Sequence, residues 1–434
     1  MDDALLQRAG QLAALSGHGR AFALRLRRCP ERADPLERYA QLPAGRRRLL
    51  THDGQWLLVE GHAGLWHSTG ADRFHRASRL YAALQHRLVI DAPADAPRPP
   101  LCWLEGGFAA DGGADGLWGG VTAGCRLILP RRAWWQQGGS CWQQEVLAVS
   151  ASGHIAAEAE TTPRLATWPA LMLPDYRELV RDALVLLRGG ALRKVVLARA
   201  EDRQHEALST NEIVSRLQKG ARGQWLYAVD LDSERCFLGR SPELLLASRG
   251  QEWQSMALAG TRARAADPTQ DRNLAADLLS STKERKEHQL VVEHLVRALA
   301  DATGGIRVSD RPVLRRLPHL QHLETRIDLH QPNGDCYQAL AALHPTPAVA
   351  GLLMPLAAEW LLHHEGLDRG LYTGVIGWRT PDASEHIVPL RGAVVDGERA
   401  RLFAGAGLVE TSDPDAEWAE TELKLQGMRQ ILTR

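Results

Sequence analysis

The chain has 434 residues, 52 Lys plus Arg against 52 Asp plus Glu, and a hydrophobic content of 44%. Material on this scale can bury a large core, as two or three domains or as one large β-rich domain, and the even charge without a basic block interleaved with aromatics excludes an ordinary nucleic-acid surface. No apolar run reaches the ~18 residues of a membrane span, and the acidic start Met1-Asp-Asp-Ala lacks the regions of a signal peptide, so a cytoplasmic protein is expected. Cys29, Cys102, Cys125, Cys141, Cys236 and Cys336 are widely scattered with no metal-binding spacing, and they read as buried small hydrophobes or free thiols.

Taken in order, the first thirty residues and the stretch Phe74 to His86 carry helical periods. Gln55 to Gly61, Leu101 to Phe108 and Cys125 to Pro130 read as strands bounded by Gly or Pro. Asp91 to Pro100 is a Pro-rich connection that no regular element can cross. Nothing up to about residue 170 points to chemistry.

Beyond Pro174 the pattern is denser. A helix over Asp175 to Arg188 leads through Gly189-Gly190 into a strand from Leu192 to Arg199 with Lys194 near its start, and strands follow at Gln224 to Asp230, Arg235 to Gly239 and Trp253 to Leu258. Helical periods return at Asp267 to Leu279, across Ser281 to Val296 and at Ala350 to His364. Closing strands are expected at Leu371 to Trp378, His386 to Val395 and Arg401 to Phe403, the last breaking into a small-residue turn at Ala404-Gly-Ala-Gly407. Strands in runs joined by short turns argue for an α+β fold with large antiparallel sheets rather than a doubly wound parallel one. Gly405-Ala-Gly407 has neither a third glycine nor a surrounding βαβ unit, so dinucleotide binding is set aside.

The last helix opens at Asp413-Pro414, an N-cap followed by Pro at the first helical position. On it Glu417 and Glu420 stand one turn apart with Lys424 a turn further, and the Ser281 helix carries Glu284 and Glu287 in the same arrangement. Each pair alone is compatible with a solvated helix face. The repetition supports a second reading, in which two helices face each other across one divalent cation that completes its shell with water and substrate oxygens.

Leu197-Ala-Arg-Ala, Phe237 to Leu245 with its Gly-Arg-Ser-Pro-Glu243, Leu258-Ala-Gly-Thr-Arg262, Lys283 to His288, Leu343-His-Pro-Thr-Pro-Ala-Val-Ala-Gly351, Gly370 to Trp378, Leu390-Arg391 and Ala404 to Lys424 resemble the ordered signature of chorismate-utilising enzymes. Within that family the chain looks most like isochorismate synthases of the menaquinone-pathway type. The resemblance covers Pro174 to the C-terminal motif, and the first third matches only in size and character. It implies one large α+β domain of two packed antiparallel sheets flanked by helices. Residues 1–170 would be a motif-poor part of the sandwich and residues 171–434 the chorismate-binding catalytic region. A monomer that binds neither nucleic acid nor membrane is expected.

The implied reaction is reversible: water adds at C2 of chorismate while the C4 hydroxyl leaves and the double bond migrates. Water at neutral pH needs a base and hydroxide needs an acid, and the family positions assign these roles to Lys194 and Glu243. Lys194 must then be neutral, through burial or neighbouring positive charge, and Glu243 must hold its proton near pH 7. The resemblance also implies Mg2+ on Glu287 and Glu420, with Glu284 and Glu417 completing or orienting the shell. Arg391 would hold the enolpyruvyl carboxylate, Gly405, Ala406 and Lys424 would complete the carboxylate cradle, Gly260 and Thr261 would line the ring, and His344 would lie near the leaving hydroxyl or the metal.

Relatives that use ammonia lack a lysine at the Lys194 position, and the aminodeoxychorismate type carries one where this chain has Ala259. Water is therefore the expected nucleophile. Salicylate synthase, which goes on to eliminate pyruvate, shares the base, the acid and the metal site, and a scaffold that only binds partners is the reading outside catalysis. The Arg401 to Trp418 stretch favours the isochorismate type, and no acid, base or metal pair is missing.

Overall fold

The computed structural model describes residues 1–16, 19–29, 34–111, 116–118, 124–137, 139–156, 168–206, 208–352 and 354–433. Its strands form two large sheets. One has twelve strands, running from Gly351–Leu352 through Lys194–Gln204, Arg399–Leu408, Gly392–Asp396, Arg235–Ser241 and Trp225–Asp230 to Arg47–His52, Gln55–Glu60, Arg132–Gln137, Ser140–Ser150, Arg20–Arg28 and Leu88–Asp91. The other has ten strands and joins Thr303–Val308, Leu320–Pro332, Glu252–Ala263, Leu244–Arg249, Ala383–Ile387 and Val375–Arg379 to Cys102–Gly106, Cys125–Leu129 and Gly64–Ser68, with Val313–Arg316 also paired to Leu320–Pro332. Among the described pairs all are antiparallel except Arg20–Arg28 with Leu88–Asp91. The α+β expectation of packed antiparallel sheets flanked by helices is met, and both sheets draw strands from both parts of the chain.

The alternation of side chains along each strand makes the layers. Phe22, Leu24 and Leu26 of one sheet and Trp103, Leu127, Leu246 and Ile376 of the other fill a common core. The opposite face of the twelve-stranded sheet packs Leu226, Leu238 and Leu402 under the helices Pro35–Gln41, Thr210–Gln218 and Pro414–Leu432. Across the central core Glu105, fully buried, accepts from Arg48 Nε at 2.5 Å and from Arg126 Nε at 2.9 Å. Burial alone would raise its pKa, but the two guanidiniums hold it down to about 2.

Four expectations fail locally. The single strand expected from His386 to Val395 is two, Ala383–Ile387 and Gly392–Asp396, which belong to different sheets. Helix at the N-terminus stops after Asp3–Leu15, and Arg20–Arg28 is a strand, because its large apolar residues Phe22, Leu24 and Leu26 recur at every second position once Gly19 (φ 66°) has turned the chain. The helix placed at Ala350 begins only at Met354, since Gly351–Leu352 pairs with Lys194 and Val195. Nor do Ala404 to Gly407 make a turn: Arg399–Leu408 runs straight through them in register with Val195 to Gln204. The helix Pro414–Leu432 does start as expected, with Asp413 accepting from the backbone N–H groups of Asp415 and Ala416. No described helix is long and apolar enough to cross a membrane.

Candidate active site

Two of the places where the chain passes from one sheet to the other carry a charged residue. Glu243 follows Pro242 between Arg235–Ser241 of the larger sheet and Leu244–Arg249 of the smaller. Arg391 lies between Ala383–Ile387 and Gly392–Asp396, at φ 53°, a backbone conformation unusual for a residue with a side chain. Lys194 begins its strand nearby. Buried Glu365 accepts from the Ala198 N–H at 2.6 Å and from Arg369, while Arg369 donates to the Val196 carbonyl at 2.7 Å. That clamp fixes the backbone from which Lys194 projects.

Glu243 is buried, and among the described residues its carboxyl group makes no hydrogen bond or ion pair. Burial raises its pKa to about 8, against the opposing pull of Lys194, then Arg391, then Lys424. Three cations thus converge on a carboxyl group that desolvation still keeps protonated at neutral pH.

Next to this group the two helix N-termini bring their glutamates together. Glu287 pairs with Lys194 at 2.9 Å, Glu420 with Lys424 at 2.6 Å and Glu417 with Lys283 at 3.4 Å. Lys424 also donates to the Gly405 carbonyl at 2.7 Å. Burial, then Glu420, and more weakly Glu287, raise the Glu417 pKa to about 7 despite Lys283. Burial would raise Glu420 as well, but Lys424 outweighs it and holds that group below its usual range. Among the described residues no three carboxylate, histidine or cysteine side chains converge closely enough to hold a metal ion as placed. The donor set nevertheless fits a hard divalent cation, because Glu417 is crowded by Glu420 and Glu287, and the lysines and Arg391 offset their charge. Glu284 is turned away: it accepts from Thr261 N at 3.1 Å and pairs with Arg262 at 2.9 Å, bracing the Gly260-Thr261 bulge.

The small residues of Arg399–Leu408 have a role here that turn geometry does not explain. A Cβ on Gly407 would lie 2.6 Å from Glu287 Oε1 and 3.1 Å from Lys194 Cε, and one on Gly405 would lie 2.9 Å from the Leu197 carbonyl. Ala406 between them is fully buried. A small open pocket lies beside Arg391 and Lys424, lined also by Arg240, Gln224 and His319. Arg240 pairs with no carboxylate among the described residues, so the surroundings favour an anion.

His344 is placed differently from the sequence expectation. One of its ring nitrogens lies 3.0 Å from the Thr373 carbonyl and the other 3.4 Å from Arg73 Nη2, so both are occupied in supporting the 370–374 segment rather than in contact with the charged cluster. Burial, with Arg73, depresses its pKa to about 3 and keeps it neutral. His322, which the sequence reading passed over, does join the site. Its Nδ1 faces the Gly260 carbonyl at 3.1 Å and its Nε2 lies 3.0 Å from Arg391 Nη2. Burial and the charges of Arg391 and Lys424 hold its pKa far below the usual value, so the neutral ring donates through Nδ1 and accepts from Arg391. As one histidine in an alternating strand it carries no local signal. Tyr372, Arg262 and Lys283 lay inside quoted motifs without an assigned role.

The family model described as chorismate binding enzyme matches residues 169–433. The chain belongs to the chorismate binding enzyme family. It is 40% identical over 261 residues to the salicylate biosynthesis isochorismate synthase of Pseudomonas aeruginosa, covering 60% of this chain and 55% of that one. To the isochorismate synthase MenF of Escherichia coli it is 34% identical over 326 residues, covering 70% and 75%. The match thus spans little more than half the length of the Pseudomonas relative, and 66% of the isochorismate synthase DhbC of Bacillus subtilis, to which it is 37% identical over 58% of this chain. The structure of the menaquinone-specific isochorismate synthase from Escherichia coli superposes with a TM-score of 0.76 at 27% identity, covering 99% of this chain and all of the other. Anthranilate synthase component I from Streptococcus pneumoniae, at 15% identity and a TM-score of 0.57 over 94% of this chain and 92% of that one, shares the fold. For this chorismate binding enzyme the match takes in Lys194, Glu243, Arg391 and both glutamate helices, while the first 168 residues lie outside the family model.

Proposed function

We propose that the protein is an isochorismate synthase, a hydroxymutase that interconverts chorismate and isochorismate. The observation that carries the reading is Glu243: a buried carboxyl group with a pKa of about 8, facing a buried lysine across a site lined by Arg391 and Lys424. Such a group is an acid at neutral pH and can deliver its proton to a departing hydroxyl, which leaves poorly as hydroxide. Lys194 takes the proton of the attacking water on the other side. Its carboxylate partner, Glu287 at 2.9 Å, would be one of the residues that hold a metal ion. Arg391, steadied by His322, holds the enolpyruvyl carboxylate through a charge-assisted pair, with Lys424 beside it.

Glu287 and Glu420 would hold Mg2+, with Glu417 next to them through water. When bound, the ion supplies positive charge for the ring carboxylate and replaces the lysines that now neutralise these groups. Glu284 supports the Gly260-Thr261 bulge that lines the ring.

The test is incubation with chorismate and Mg2+, with and without EDTA, followed by chromatography. Isochorismate in equilibrium with chorismate is expected, lost on chelation and absent for Lys194→Ala. Salicylate with pyruvate as direct products would assign a lyase step to this chain, and no turnover with Mg2+ present would overturn the reading. The relatives' names attach the same reaction to salicylate and menaquinone routes, so the receiving pathway is a question for gene disruption.

A further inference from the structure

Six cysteines that look unrelated in sequence include two that the fold sets side by side. Arg20–Arg28 pairs antiparallel with Ser140–Ser150, and the register ends with Arg28 opposite Trp142. One position further, Cys29 lies opposite Cys141, and the Cys29 N–H donates to the Cys141 carbonyl at 2.7 Å. Residues directly opposed in an antiparallel ladder project to the same face. In a hydrogen-bonded pair their Cα atoms are about 5.5 Å apart, inside the roughly 4.4–6.8 Å that a disulfide spans. Cys29 packs at the margin of the cluster around Trp134, where Arg38 lies over the Trp134 ring at 5.0 Å.

Access separates this pair from the other thiols, and acidity separates Cys29 from all five. Cys29 is half-buried and Cys141 is 9% exposed, whereas Cys102, Cys125, Cys236 and Cys336 are all 4% exposed or less. The neighbouring Cys141 thiol, with the charge of Arg38, lowers the Cys29 pKa against the effect of burial, while Cys29 and burial raise that of Cys141. Burial raises the pKa of the other four, which disfavours their thiolates.

We propose that Cys29 and Cys141 form a reversible oxidation site for low-molecular-weight disulfides of the glutathione class. The Cys29 thiolate attacks one sulfur of the small disulfide, forming a mixed disulfide and expelling one small thiolate. Cys141 loses its proton and attacks the Cys29 sulfur, closing the protein disulfide and expelling the second. The balance is two protein thiols plus one small disulfide giving one protein disulfide plus two small thiols. Opposed Cβ atoms in a hydrogen-bonded pair lie further apart than a relaxed disulfide prefers, so the closed bond is strained and excess reduced glutathione reopens it.

The test uses the full folded chain, treated with oxidised glutathione, quenched by alkylation and measured as intact mass with a non-reducing digest. The expected result is the loss of two hydrogens and two alkylation sites, with the peptides containing Cys29 and Cys141 linked and separated again by reduced glutathione. Cys141→Ser should stop at a single glutathione adduct on Cys29, and Cys29→Ser should take up none. Turnover of both variants should match the parent, since neither residue touches the active site. A persistent adduct on Cys29 of the parent protein would overturn the proposal. So would a linkage that uses another cysteine, or absence of reaction under conditions in which a denatured sample is modified.

Discussion

Glu243 shows how one carboxyl group can serve catalysis at the expense of stability. Its pKa of about 8 exceeds its ordinary 4.5, so the folded protein binds a proton that the unfolded chain releases. That contribution is full below pH 4.5 and is lost as pH rises through about 8. Glu243→Gln keeps the shape and removes the titration. The variant should lose about a hundred- to ten-thousand-fold in turnover, yet melt a few degrees higher than the parent at pH 9, as calorimetry would reveal. In the unmodified protein, kcat/KM should fall along a limb near pH 8 in the isochorismate-forming direction, and that limb should be absent from the residual activity of Glu243→Gln. Unchanged kinetics for the variant would remove Glu243 from the mechanism. None of this acidity was legible from residue identity: Ser-Pro-Glu matched a family position, but desolvation comes from strands far away in sequence.

At the scale of elements, the strand Arg399–Leu408 does what a turn was expected to do. Its small residues admit neighbours rather than bend the backbone, and the cue in sequence is the same for both, since Gly and Ala favour turns and close packing alike. Gly407→Ala places a methyl group where Glu287 Oε1 now lies. The flexible end of Glu287 must move, so we expect a normal melting temperature with a several-fold higher Mg2+ requirement, read from activity titrations. A metal dependence identical to the parent's would show that Glu287 is not a ligand. The two glutamate helices, by contrast, were readable as elements: Ser281 and Asp413 cap them as expected, and Glu417 lies close enough to Glu420 and Glu287 for both to raise its pKa. Spacing could not reveal that Glu284 turns to the Gly260 bulge, because its partners Thr261 and Arg262 come from another strand.

For the molecule as a whole, the sheets are locked through the buried group Arg48, Glu105 and Arg126, which joins strands from both layers. Removing the carboxylate leaves two guanidiniums desolvated and unpaired, so Glu105→Ala should cost about 3–5 kcal/mol in denaturant unfolding. Because Glu105 is held at about 2, its contribution is complete above pH 4.5 and is lost as pH falls toward 2. The α+β architecture was legible from strand runs and short connections. The cross-layer charge group and the opposed cysteines were not, since each depends on partners that only the sheet order brings together.

That sheet order also sets when the site can exist. The strand bearing Lys194 is flanked on one side by two residues, Gly351–Leu352, and on the other by Arg399–Leu408. During synthesis Lys194 therefore waits, unpaired along most of its strand, until about two hundred further residues have left the ribosome. The helix carrying Glu420 comes later still, so a chain stalled before residue 399 can gather its early strands but cannot assemble the charged cluster around Lys194.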